Sequence, residues 1–303
     1  MFLCNISLNN KHIHQKIMKL SYLFISLMSI FTLSCSDDNN DYTTAQEPQL
    51  IVKFKFDATQ ERLGNLGNPV GIPAGNAAQS PDFNMMSAHY IELAPTAFTA
   101  LGDGDIIYKG DETTAGGSNA VDFQNAKLVS ENDVFMSIPL SEVAVGTYEW
   151  ARVSLTYQNY NINFLSNGVD YSGTLASFVG FNNYITSYTV NQETVTVNSN
   201  KTQGYWAFET LGTVSVGQAT GTTVPNPIAS TSPVPTGSCV VTGEFENGFT
   251  VTGNETEDII LTLSLSTNNS FEWTEITADD KFEPSAGEQV VDMGFRGLVP
   301  IVE

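Results

Sequence analysis

Leu50-Ile51-Val52-Lys53-Phe54-Lys55-Phe56 decides the fold class. In an extended chain Leu50, Val52, Phe54 and Phe56 fall on one side and Lys53 and Lys55 on the other. A period of two marks a strand with one buried face. Outward from it, comparable runs occur at 86–93, 105–109, 133–138, 147–157, 174–179, 184–190, 193–198, 203–210, 239–246, 258–266 and 270–276. In 147–157, Glu149, Arg152 and Ser154 interrupt the run without breaking a face made by Val153, Leu155 and Tyr157. Gly, Asn, Asp, Pro and Ser collect between the runs, as turns require. No segment carries a convincing helical period. The expectation is an all-β chain folded as an antiparallel sandwich.

Two stretches break the pattern. Residues 57–82 are rich in Gly, Asn, Ala and Pro and read as a surface loop, and 211–237 holds Pro225, Pro227, Pro233 and Pro235 with few apolar anchors. Loops this long are uncommon inside compact domains. The second would either separate a 48–210 domain from a 238–303 domain or cross the face of one. The C-terminal piece, about 66 residues without a disulfide, is marginal for an independent β core. A single domain over 48–303 is expected.

The N-terminus has its own grammar. Lys16 and Lys19 precede an apolar run of 14 residues, Leu20 to Leu33, then Ser34 and Cys35. The run is too short for a membrane-crossing helix, which needs ~20 residues. It reads as a cleaved secretory leader, residues 1–34, with Met18 the expected start, since Cys4, His12 and His14 suit no signal peptide. The pattern resembles bacterial lipoprotein signals, in which the cysteine after the cut is lipidated. Thr32 stands where that pattern usually has an aliphatic residue. Cys35 would be the lipidated residue and 35–47 a flexible acidic tether. Ser36-Asp37-Asp38-Asn39-Asn40-Asp41 resembles the export tract of surface lipoproteins in Bacteroidota. The resemblance implies an outer-membrane protein held by its lipid anchor and exposed at the cell surface; an ordinary solvated tether is the plainer reading.

Three of the twelve Lys and Arg residues and none of the 33 Asp and Glu residues precede Cys35, so the mature chain carries a formal net charge of −24. Nucleic acid is excluded as a partner, because its affinity comes from basic side chains neutralising phosphates. Solubility and mutual repulsion on a crowded surface explain the charge without any ligand. After lipidation only Cys239 remains, at the head of Cys239-Val240-Val241, and reads as a buried strand thiol.

Catalytic signatures are sparse. His89 is the sole histidine after Cys35, which rules out His-Glu-x-x-His zinc sites. No Gly-x-Ser-x-Gly turn offers a nucleophile for a triad. Met85, Met86 and His89 invite copper, since thioether and imidazole suit Cu(I). On one strand, however, Met85 and His89 stand ~13 Å apart. Asp103-Gly104-Asp105 opens like a calcium loop but departs from the EF-hand pattern at Ile107, Tyr108 and Thr114. An irregular calcium site from Asp103, Asp105 and Asp111 is the metal candidate, against a plain Gly-Asp turn. Glu244 and Glu246 lie ~6.6 Å apart on one strand face, within the ~5–9.5 Å of glycosidase carboxylates. In so acidic a chain such pairs arise by chance.

The richest surface signal is Tyr157-Gln158-Asn159-Tyr160-Asn161-Ile162-Asn163-Phe164, followed by Tyr171, Asn182, Asn183 and Tyr184. Flat aromatic faces beside amides suit sugars and protein partners alike. Tyr157, Tyr160, Asn161, Tyr171, Asn183 and Tyr184 are the candidate ligand contacts. Against that, the aromatics fill the sandwich and the asparagines make turns. The strand order, the Ala144-Val145-Gly146-Thr147-Tyr148 turn and Gln203-Gly204-Tyr205-Trp206-Ala207-Phe208-Glu209 resemble the MbnP-like family. The resemblance implies a β-rich secreted protein, in some members linked to copper handling, and assigns no ligand residue. The expected function is a non-catalytic surface lipoprotein that binds a glycan or protein and needs no cofactor. The alternatives are a protein handling copper or calcium, a structural surface protein, or a carboxylate-dependent hydrolase.

Overall fold

The computed structural model describes residues 47–63, 68–219 and 239–303. The readings of the leader, of Met18, Cys35 and the tract 36–41, and of most of the 211–237 loop lie outside the described residues. Among these the fold is all β, with two single 3-10 turns and no α-helix. The first strands are β1 (Gln49–Asp57), β2 (Asn76–Gln79), β3 (Asp82–Ala94), β4 (Asp105–Lys109), β5 (Glu112–Thr113) and β6 (Ala120–Asp122). Next come β7 (Val134–Pro139), β8 (Gly146–Ser166), β9 (Val169–Phe178), β10 (Asn182–Thr189), β11 (Thr194–Thr202) and β12 (Tyr205–Thr210). The last are β13 (Thr213–Gln218), β14 (Cys239–Val251), β15 (Ile259–Ser266), β16 (Phe271–Thr274), β17 (Gln289–Met293) and β18 (Leu298–Val302).

Every stretch read as strand from sequence holds one. The loop expected at 57–82 is corrected in part: β2 forms there and pairs with β16, burying Ala77. Likewise β13 takes 213–218 and pairs with β12.

A seven-stranded sheet, β13-β12-β9-β8-β3-β4, organises the molecule, with β14 also pairing to β8. On one edge β8 pairs with β3; on the other it pairs first with β14 (146–155) and then with β9 (157–166). The changeover is at Thr156. Ser87 pairs with Tyr157 and Ala88 with Leu155, so Thr156 is an extra residue in β8, a β-bulge. Its carbonyl accepts from the amides of Val179 and Gly180 at 2.9 and 3.1 Å.

One inserted residue reverses which alternate positions face which side. Val153 and Leu155 belong to the core beneath the four-stranded sheet β18-β15-β1-β7, along with Leu50, Val52, Phe54, Leu261 and Leu263. Past the bulge Tyr157 joins a second cluster with Phe123, Phe178, Tyr188 and Tyr205, while Tyr160 and Ile162 join a third with Phe271 and Trp273. Phe83 packs against both the first and third clusters. The face read as Val153, Leu155 and Tyr157 is therefore corrected: Tyr157 leaves it at the bulge.

The far half of the long sheet is covered on both sides. The sheet β11-β10-β6-β5 lies over the second cluster and β17-β16-β2 over the third. Neighbouring residues separate accordingly: Ala176 and Phe178 from Leu175, and Tyr205 and Ala207 from Trp206 and Phe208. Two pairings are parallel, β1 with β15 and β6 with β10, in an otherwise antiparallel sandwich.

Candidate functional site

The structure does not bring the six candidate ligand residues together. Tyr157, Tyr160 and Asn183 are buried, and the two tyrosines, three residues apart on β8, fall on opposite faces by ordinary strand alternation. As contacts for an outside ligand these three are corrected: the sandwich needs their volume. Tyr171 stacks on Phe164 with ring centroids 5.7 Å apart. Tyr184 is half-buried. Asn161 lines a pocket.

That pocket, about 450 Å³, opens over the ends of β8, β9 and β12. Its floor is a cross-strand row, with Asn161 opposite Thr174 and Thr174 opposite Glu209. The Thr174 hydroxyl donates to Asn161 Oδ1 at 2.7 Å, and Asn161 Nδ2 donates to Asn84 Oδ1 at 3.2 Å. Asn84 Nδ2 in turn donates to Asn159 Oδ1 at 2.8 Å. Turn residues Asn191 and Gln192 form one rim, and Leu211 and Gly212 form another.

Glu209 holds the first rim in place. Its buried carboxylate accepts from the backbone amides of Asn191 at 2.8 Å and of Gln192 and Glu193 at 3.1 Å. Burial pushes this carboxyl up, but the three amides outweigh it and leave it below the ordinary carboxylate value. A carboxylate kept ionised by three backbone donors is an anchor and an acceptor, poorly suited to giving up a proton.

The same device recurs in the domain. Glu288 accepts from the amides of Ile276, Thr277 and Glu283. Glu92, fully buried, accepts from those of Gly102 and Gly104 and pairs with Arg152 at 3.4 Å. Part of the negative charge is thus internal, where it fastens loops to strands.

Acid should loosen this fastening. The Lys55 ammonium and the Thr59 donors hold Asp57 far below the usual range, and Glu209 is also lowered. A lowered carboxyl stabilises the fold above its unfolded value and loses that contribution as pH falls through its folded value. His89 adds to the same trend: burial lowers its imidazole despite the Glu112 carboxylate 3.0 Å from Nε2. The melting temperature should decline below the imidazole's ordinary 6.5 and fall more steeply below about pH 4. Glu209→Gln should melt lower at pH 7 and lose less than the parent on acidification, as melts across pH 3–8 would record. Parallel curves for the two proteins would contradict this role.

The remaining candidates scatter. Asp105 Oδ2 accepts from Ala144 N at 2.7 Å and the Tyr148 hydroxyl at 3.2 Å. Asp103 and Asp111 are exposed. Among the described residues no three His, Cys, Asp or Glu side chains are grouped to hold a metal ion. Met86 packs in the first core cluster and Met85 against the second. Glu244 and Glu246 are exposed on β14. Cys239 packs against the first cluster, where burial pushes its thiol up to about 12.

Sequence reading missed Thr174, Glu209 and Leu211. Glu209 carried a signal, since it continues the alternation of Tyr205 and Ala207 and so must point inward. Comparison with protein-family models, curated proteins and solved structures finds no match to this chain.

Proposed function

We propose that this chain is a non-catalytic surface lipoprotein whose β domain binds a hydroxyl-rich ligand, a saccharide unit, in the pocket over Asn161, Thr174 and Glu209. The lipid anchor rests on the signal-like sequence before Cys35. The ligand class rests on one observation, a pocket of about 450 Å³ floored by amide, hydroxyl and carboxylate groups. Its volume lies within the ~300–1,000 Å³ of small-molecule sites. Such sites are lined mainly by apolar groups, and this floor is instead a run of alternating donors and acceptors, which suits sugar hydroxyls.

The test is binding to a panel of purified mannan, xylan, laminarin, pullulan and pectin. Anything that binds only the folded state raises the melting temperature by mass action. One of these should raise it, and Gln192→Ala at the exposed rim should weaken that binding by about tenfold, equal to ~1.4 kcal/mol. Full affinity in Gln192→Ala and in Thr174→Val, or a parent protein indifferent to the whole panel, would remove this pocket as the site.

A further inference from the structure

Six non-glycine residues among those described have φ in the left-handed region: Asn132, Asn167, Asn198, Asn269, Asp280 and Leu211. Five are Asn or Asp, whose short polar side chains tolerate this conformation. Leucine does not. At φ 50°, followed by Gly212 at 70°, Leu211 sits in the two-residue turn between β12 and β13, bounded by the pair Thr210 and Thr213. Positive φ at both central residues is the type I′ pattern, which strongly prefers Asn-Gly or Asp-Gly.

Packing does not repay the strain. Leu211 is 81% exposed, so its side chain projects into water from an unfavourable backbone. It also lines the lip of the polar pocket. Strain held without an internal reason is the kind that functional positions keep.

We infer that Leu211 is the apolar contact of this pocket, meeting the C–H face of a saccharide ring whose hydroxyls meet Asn161, Thr174 and Glu209. The inference rests on the saccharide reading of the pocket. Its logic is that sugar hydroxyls exchange water for protein with little net gain. A pyranose ring also has apolar C–H surface, and covering it supplies a driving force that polar groups lack.

Leu211→Asn separates the roles, because the two expected effects have opposite signs. Asparagine relieves the turn, so the purified full-length protein should melt about 1–3 °C higher. Affinity for the polysaccharide that shifts the parent should fall about tenfold. Leu211→Met, which keeps an apolar side chain, should bind within about threefold of the parent. If Leu211→Asn binds as tightly as the parent while Thr174→Val does not, Leu211 is no contact and the pocket reading survives. If Leu211→Asn both melts lower and binds worse, the leucine serves the fold and the inference fails. If Leu211→Asn and Thr174→Val both bind like the parent, or the parent binds none of the panel, the pocket reading falls and takes Leu211 with it.

Discussion

Glu272→Gln is expected to cost the domain about 3–5 kcal/mol, the range for removing one partner of a buried ion pair. Glu272 is 3% exposed on β16. It accepts from Arg62, from Arg296 at 3.2 Å and from Asn76 Nδ2. Arg296 has a second carboxylate, Asp292. Among the described residues Arg62 has only Glu272, and its Nε and Nη1 are already buried without a partner. Neutralising Glu272 would therefore leave the Arg62 guanidinium in the interior without its ion-pair partner. Burial raises the Asp292 carboxyl despite Arg296, and that carboxylate is already paired with Arg296. Denaturant melts of Glu272→Gln, Arg62→Met and the paired Glu272→Gln with Arg62→Met would measure the coupling. The paired protein should recover part of the loss. A loss below about 1 kcal/mol for Glu272→Gln would mean that the network is solvated.

Phe178→Ala should be comparably severe, about 3–5 kcal/mol for emptying a core aromatic site. Phe178 is fully buried at the end of β9. Its ring meets Phe123 at 4.9 Å, Tyr157 and Tyr188 at 5.0 Å and Tyr205 at 5.7 Å, centroid to centroid. It is the hub through which the β10–β11 hairpin rests on the long sheet. That hairpin carries the Asn191–Glu193 turn that Glu209 fastens beside the pocket. The substitution should make 182–202 the first site of limited proteolysis and abolish any polysaccharide response. Phe178→Leu, which retains most of the volume, should do less of both. A small stability loss with the hairpin still protected would place its anchorage elsewhere.

The strands were legible because period-two alternation follows directly from which side chains are buried, as Leu50, Val52 and Phe54 illustrate. The Thr156 bulge was not. Tyr157 through Phe164 looks like a surface patch because aromatic and amide residues alternate without an apolar side. In the structure both faces of that half-strand are covered, one by β10 and β11 and the other by β16 and β17. Asn159 and Gln158 are buried by satisfying backbone carbonyls, of Val190 at 2.7 Å and Met293 at 2.8 Å. A doubly covered strand has no polar side to alternate with, and local sequence cannot report what covers it. The pocket was hidden for a related reason. Its floor joins residues from three strands and its rims come from two turns, so no short motif contains it. Asn161 stood in the aromatic and amide stretch and Glu209 at the end of the 203–209 run, and nothing in the sequence joins the two.

The parallel pairing of β1 with β15 also sets an order in time. Leu50 lies beside Ile259, 209 positions later in the chain. At about 5–20 residues per second of synthesis, the first strand waits roughly 10–40 s for its neighbour to exist. Meanwhile one edge of β1 and the apolar row Leu50, Val52 and Phe54 have no permanent cover, and an open strand edge invites pairing with other chains. The cover of β1 is therefore not complete until β15, near the C-terminal end of the sequence, has been made.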